Sequence, residues 1–136
     1  MEKKRILYIE DNLQNKRLVR KVLSAKGYEV LEAEDGLTGI EAALRERPDL
    51  ILMDVNLPGI DGMEATARLK KSEIAKIPIV ALTANAMHGD REKILAAGCD
   101  GYLQKPISNS ALCEAVERFL AAKIPSAQEP AKEPVG

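Results

Sequence analysis

The regular alternation of short apolar segments with amphipathic segments constrains the fold of this chain more than any other feature. Strands are predicted over residues 5–9, 28–33, 49–53, 77–82 and 101–104, and the alternating pattern of 28–33 is typical of an edge strand. Helices are predicted from 13 to a C-cap at Gly27, over 36–47, 63–71 and 86–97, and after an N-cap at Ser108. This pattern predicts a doubly wound α/β domain, in which helices cover both faces of a five-stranded parallel sheet.

The size and charge of the chain exclude several classes of protein. Its 136 residues match one domain, and 46% of them are hydrophobic, which is enough for a packed core. The net charge of −1 gives no electrostatic basis for binding nucleic acid or an anionic membrane. The longest apolar runs have the length of strands, and no secretory signal is predicted. Because the two cysteines form no disulfide framework, we expect a cytoplasmic protein.

The composition changes near the end of the chain. From Lys123 onward the sequence is rich in Pro, Ala, Glu, Ser and Gln and has almost no large apolar side chain. Such a segment cannot bury enough apolar surface to fold. We therefore predict a domain over residues 1–122 and a disordered tail over 123–136.

Polar side chains follow four of the five predicted strands. Glu10 and Asp11 come after the first strand, Asp54 after the third, Thr83 after the fourth and Lys105 after the fifth. In an open parallel sheet the carboxyl ends of the strands lie at one edge, where ligands bind. We therefore expect three acids, a hydroxyl and an ammonium group to converge on one site.

Three carboxylates at one edge need compensation. Two of them about 5 Å apart repel each other by about 3 kcal/mol at an effective dielectric constant near 20. Either one is protonated near neutral pH or a cation lies among them, and ligands that are all hard oxygens favour Mg²⁺. Around such a site Lys105 and Thr83 can bind a phosphoryl group, and Asp54 is the best placed nucleophile for an aspartyl phosphate. The simpler alternative is that Asp11 or Asn12 only caps the first helix.

Taken together, these residues resemble the signature of response-regulator receiver domains of two-component systems. The resemblance rests on Glu10-Asp11, on Asp54 within the segment 50–59, on Thr83-Ala84 and on Lys105-Pro106, and it extends from Lys4 to about Ala122. The stretch 81–105 is similar to stand-alone cell-cycle receivers of the DivK type and to receivers of hybrid histidine kinases. The resemblance implies a flavodoxin-like (βα)5 fold with strand order 2-1-3-4-5.

The resemblance also implies a role for each site residue. Asp54 is expected to accept a phosphoryl group from a phosphohistidine on a histidine kinase or phosphotransfer protein. Asp11, Asp54 and the backbone carbonyl of Asn56 would bind Mg²⁺ directly, with Glu10 acting mostly through water. Lys105, whose bond to Pro106 is expected to be cis, would pair with the phosphoryl group.

The expected output is a switch in protein binding. The resemblance implies that Thr83 moves to hydrogen-bond the phosphoryl group, and that Tyr102 is the switch aromatic on the face that binds a downstream protein. Asn56 and Asn85 are expected to tune dephosphorylation. The regulator would assist its own phosphorylation and dephosphorylation without being an enzyme for another substrate. His88 is expected to be an exposed structural residue.

Parts of this sequence pattern also occur in proteins with other functions. The chain could be the receiver portion of a longer regulator or hybrid kinase. A small phosphatase of the haloacid-dehalogenase type would need an acid where this chain has Asn56. A flavin or nucleotide carrier would need a Gly-, Ser- or Thr-rich loop where this chain has Glu10-Asp11.

Overall fold

Five strands and five helices alternate along the chain in the computed structural model, which describes residues 3–84, 86 and 89–121. The strands are β1 (Arg5–Ile9), β2 (Glu29–Ala33), β3 (Leu50–Asp54), β4 (Ile79–Thr83) and β5 (Gly101–Gln104). The helices are α1 (Leu13–Ala25), α2 (Gly36–Glu46), α3 (Gly62–Lys70), α4 (Asp90–Ala97) and α5 (Asn109–Ala121). The expectations for Asn85, for His88 and for the tail over 123–136 lie outside the described residues.

The strands form one parallel sheet in the order β2-β1-β3-β4-β5, which confirms the predicted fold class and strand order. The edge position predicted for β2 is also confirmed. The chain first winds outward from β1 to β2 and then returns to the other side of β1 with β3. This reversal makes the carboxyl ends of β1 and β3 the point where a ligand site is expected.

The side chains of the sheet pack into two cores, one on each face. Alternate residues of β3 belong to different cores, with Ile51 and Met53 in one and Leu50 and Leu52 in the other. Helices α2, α3 and α4 cover the first core, and helices α1 and α5 cover the second. All five residues of β3 and all five of β4 are buried, as strands covered on both faces require. No helix within the described residues is long and apolar enough to cross a membrane.

Several element boundaries differ from the prediction. Asp54 and Thr83 are the last residues of β3 and β4, whereas the sequence pattern placed them after the strands. Their backbones are therefore held by the sheet itself. Helix α4 begins at Asp90 and not at residue 86, because Gly89 adopts a left-handed conformation (φ 102°) that an α-helix cannot contain.

The helix caps show which residue caps α1, a question that the sequence left open between Asp11 and Asn12. The side chain of Asn12 accepts a hydrogen bond from the backbone N–H of Asn15, so Asn12 and not Asp11 caps α1. The predicted cap at Ser108 is confirmed, since its hydroxyl accepts a hydrogen bond from the backbone N–H of Ala111. Asp11 is thus available for another role.

Candidate functional site

The sheet brings the predicted site residues to one edge. Ile9 pairs with Met53, so Glu10 and Asp54 lie at the adjacent carboxyl ends of β1 and β3. On the other side of β3, the backbone N–H of Val55 donates to the carbonyl of Leu82 in β4 (3.0 Å). The backbone N–H of Lys105 donates to the carbonyl of Thr83 (2.7 Å), which fixes the start of the loop after β5. Parallel pairing therefore determines where each of these residues lies.

The three acids form a compact cluster. Glu10, Asp11 and Asp54 each place one carboxylate oxygen within 4.8 Å of the other two. Glu10 and Asp54 are buried, and Asp11 is exposed. All the donors are hard oxygens, which suit Mg²⁺ better than zinc or copper. The exposed member leaves one side of the cluster open to solvent, from which a hydrated ion and a phosphoryl group can enter.

Lys105 is the cation in contact with this cluster. Its Nζ lies 3.0 Å from Oδ1 of Asp54 and 3.7 Å from Oε1 of Glu10. The peptide bond between Lys105 and Pro106 is cis, as the resemblance implies. Among the described residues a single ammonium group faces the three carboxylates, so the cluster keeps an excess of negative charge that a divalent cation can balance.

The pKa of Asp54 is raised from 3.8 to about 6. Burial is the largest cause, because it disfavours the charged carboxylate, and the nearby Glu10 carboxylate raises the pKa further. The hydrogen bond and charge of Lys105 act in the opposite direction. A buried carboxylate with this pKa is a functional-site candidate on physical grounds.

Within the described part of the chain, several neighbours besides Asp54 hold Glu10, and the sequence reasoning missed Tyr8 and Asn15 among them. The buried Tyr8 hydroxyl donates to Oε1 of Glu10 (2.9 Å), and the side-chain amide of Asn15 approaches the same oxygen (3.4 Å). The backbone N–H of Asn12 donates to Oε2 (3.1 Å), and Lys105 completes the set. Burial and the Glu10 carboxylate raise the pKa of Tyr8, so the phenol stays a donor. A tyrosine in an otherwise aliphatic strand is the signal that could have identified it.

The loop after β3 lies tightly against Asp54. The backbone N–H of Asn56 approaches Oδ1 of Asp54 (3.4 Å), and the N–H of Gly62 donates to the carbonyl of Val55 (3.0 Å). A Cβ atom at Gly62 would collide with the carbonyl oxygen of Asp54, so the position requires glycine. The loop is therefore fixed close to the cluster, with Asn56 two residues from Asp54.

Thr83 is buried on the α4 side of the cluster, where its hydroxyl donates to Oδ2 of Asp90 (2.7 Å). Ala81 pairs with Tyr102 and Thr83 pairs with Gln104, so Thr83 and Tyr102 project from the same face of the sheet. Tyr102 is half-buried and packs against the core on that face.

The sequence reasoning also missed Gln104, which fastens the loop between β4 and α4. Its side-chain amide donates to the carbonyl of Ala84 (2.8 Å), and its oxygen accepts from the backbone N–H of Ala86 (3.2 Å). Gln104 thus links the loop that follows Thr83 to the strand that carries Tyr102. A lone glutamine at a strand end gives no sequence signal for such a role.

Comparison with known proteins identifies the family. Residues 6–117 match the model of the response regulator receiver domain. The polar-differentiation response regulator DivK of Brucella anthropi is 42% identical over 118 residues, which span 86% of this chain and 96% of that protein.

Solved structures agree with this match. The receiver domain of a sensor histidine kinase from Pseudomonas aeruginosa PAO1, which has a magnesium ion in its active site cleft, is 39% identical with a TM-score of 0.84, and the match covers 89% of this chain and all of that one. The chemotaxis response regulator CheY4 of Vibrio cholerae is 28% identical with a TM-score of 0.82, over 87% of this chain and 99% of that one. The chain belongs to the response regulator receiver domain family of two-component systems.

Proposed function

We propose that Asp54 accepts a phosphoryl group from a phosphohistidine on a histidine kinase or phosphotransfer protein. An oxygen of Asp54 attacks the phosphorus, the N–P bond breaks, and the imidazole leaves with the electron pair and takes up a proton. The observation that carries the proposal is the buried Asp54 carboxylate, which contacts Lys105 and lies beside Glu10 and Asp11.

We propose Mg²⁺ as the cofactor, because the three clustered carboxylates are the hard ligands that this ion prefers. Asp11, Asp54 and the backbone carbonyl of Asn56 would hold it directly, and Glu10 would act through water. The bound ion supplies positive charge that stabilises the phosphoryl oxygens. Tyr8, Asn12 and Asn15 hold the Glu10 carboxylate in place beside this site.

The remaining residues are assigned to phosphoryl binding and to the response. Lys105 leaves Asp54 to pair with a phosphoryl oxygen, and Thr83 donates its hydroxyl to another. Tyr102 then changes position, which alters the surface that binds a downstream protein. The protein assists its own phosphorylation and dephosphorylation, and Asn56 and Asn85 tune the rate of the latter.

We also propose where the receiver domain begins and ends. We assign residues 1–122 to the receiver and 123–136 to a disordered tail, which is either the end of a stand-alone regulator or the start of a linker in a longer one. A phosphatase of the haloacid-dehalogenase type is disfavoured, since the amide of Asn56 is not an acid and cannot protonate a leaving group. A cytoplasmic location stays a prediction.

Phosphorylation by acetyl phosphate in the presence of Mg²⁺ tests the proposal. We expect intact-mass spectrometry to show one added phosphoryl group on the native protein and none on Asp54→Asn. Asp61→Asn is the matched control, because it makes the same chemical change at the N-cap of α3, where asparagine caps equally well. Equal phosphorylation of Asp54→Asn and the native protein would overturn the assignment.

A further inference from the structure

The hydrogen bond between Thr83 and Asp90 connects the proposed phosphorylation site to helix α4. The Thr83 hydroxyl donates to Oδ2 of Asp90 at 2.7 Å, and Asp90 is the first residue of α4. We infer that Asp90 is a positioning residue that holds this hydroxyl until a phosphoryl group displaces it. The inference rests on the proposed function and assigns a regulatory role to a residue outside the acidic cluster.

The Thr83 hydroxyl cannot donate to Asp90 and to a phosphoryl group at the same time. A threonine hydroxyl has one proton, so it can donate fully to only one acceptor at a time. Donation to a phosphoryl oxygen therefore requires that Thr83 give up its bond to Asp90. Both acceptors are anionic, so both bonds are charge-assisted. The exchange therefore replaces one charge-assisted bond with another of the same kind, and Asp90 competes directly with the phosphoryl group for the hydroxyl.

The packing of α4 makes it suitable to respond to this exchange. Of its eight residues only Ile94 is buried, whereas α2, which is eleven residues long, has four buried residues. Its N-cap is Gly89, which provides no side-chain capping bond. The hydrogen bond from Thr83, the last residue of β4, therefore connects the first turn of α4 to the sheet. When the phosphoryl group takes the hydroxyl, the Asp90 carboxylate loses this partner and the first turn can shift.

A second effect of Asp90 has to be separated from this one. Its negative charge in the first turn interacts favourably with the helix dipole. The same charge repels an incoming anion, independently of the Thr83 hydroxyl. Glu92 carries the same charge in the same turn and is exposed. Glu92→Ala is therefore the matched control for charge alone.

The experiment measures the affinity of the full chain for beryllofluoride, a phosphoryl mimic, by titration with Mg²⁺ present and amide NMR as the readout. We expect Asp90→Ala to bind about five- to tenfold more tightly than the native protein, because Thr83 no longer has a competing anionic acceptor. Asp90→Asn keeps a weaker acceptor and should show a smaller gain in the same direction. Glu92→Ala should stay within about twofold of the native protein.

A double-mutant cycle provides the decisive comparison. In the Thr83→Ala background we expect Asp90→Ala to change the affinity by less than about twofold, since the hydroxyl that Asp90 holds is absent. An equal gain in both backgrounds would show repulsion of the anion alone and would overturn the inference, as would no gain at all. If Asp90→Ala does not fold, Asp90→Asn carries the same cycle. Native protein that does not bind beryllofluoride would overturn the proposed function and the inference with it.

Discussion

The edge formed by β1 and β3 and the region from β4 to α4 both lie at the carboxyl end of the sheet, yet they are built differently. At the first edge Glu10 and Asp54 are buried, and Glu10 is held by Tyr8, Asn12 and Asn15. In the second region α4 buries one side chain and begins after a glycine. Groups that do chemistry need fixed positions, whereas an element that responds needs two positions of similar free energy. This difference in packing fits the proposal that the first edge serves chemistry and the second region serves the response.

The largest expected effect is a loss of stability, and it should differ between alanine variants of one glycine from each region. Gly62→Ala should lower the free energy of unfolding by about 3 kcal/mol, because the added Cβ collides with the carbonyl oxygen of Asp54. Gly89→Ala should lower it by about 1 kcal/mol, since the position is open and only its left-handed backbone (φ 102°) disfavours alanine. Urea denaturation of both variants tests this difference. Equal losses would show that the two regions are packed with equal rigidity.

The pH dependence of stability tests the raised pKa of Asp54 at the first edge. Without Mg²⁺ the folded protein binds a proton on Asp54 with a pKa of about 6, against 3.8 for an unperturbed aspartate. The folded state therefore binds more protons than the unfolded chain between these values, so stability falls as pH rises from about 4 to about 6. We expect a loss of about 2 kcal/mol across this window.

Asp54→Asn is the control for this pH effect. It carries no proton to lose, so its stability should not show that fall, and at pH 7 it should be more stable than the native protein without metal. Chemical denaturation at several pH values measures both quantities. A native protein whose stability rises over the same window as steeply as that of Asp54→Asn would contradict the raised pKa.

Binding of Mg²⁺ at the first edge should raise the stability of the protein by a smaller amount. An ion that binds the folded state alone raises stability by about 1 kcal/mol at several times its dissociation constant. We expect the melting temperature to increase with Mg²⁺ and most of that increase to vanish in Asp11→Ala, whose exposed carboxylate contributes little to the metal-free fold. Asp61→Asn is an exposed control outside the cluster that removes a carboxylate and keeps the N-cap of α3. A melting curve insensitive to tens of millimolar Mg²⁺ would contradict the metal site.

The residues at the first edge were largely predictable from the sequence, because local apolar patterns show where the strands of a parallel sheet lie. Once the strands are located, Glu10, Asp11 and Lys105 must lie at one edge. The exact ends of β3 and β4 were not predictable, since Asp54 and Thr83 are polar residues that the sheet nonetheless includes. Hydrogen bonding to neighbouring strands, which a single segment does not reveal, decides those positions.

The second region was less predictable for a physical reason. The pattern of 86–97 fits a helix, but Gly89 delays its start until Asp90. The contact between Thr83 and Asp90 joins the end of a strand to the first residue of this helix, and neither segment alone reveals it. At the first edge, the tyrosine in β1 stands out among aliphatic residues, but the sequence does not show that its hydroxyl contacts Glu10.

The measurement that tests the central claim most directly is the amide NMR response of Thr83→Ala to beryllofluoride with Mg²⁺. If chemistry and response are separate, the signals of residues 54–57 should shift as they do in the native protein. The shifts that the native protein shows along α4 and β5 should be lost, because the hydroxyl that connects the two regions is absent. Shifts along α4 and β5 equal to those of the native protein would contradict the account.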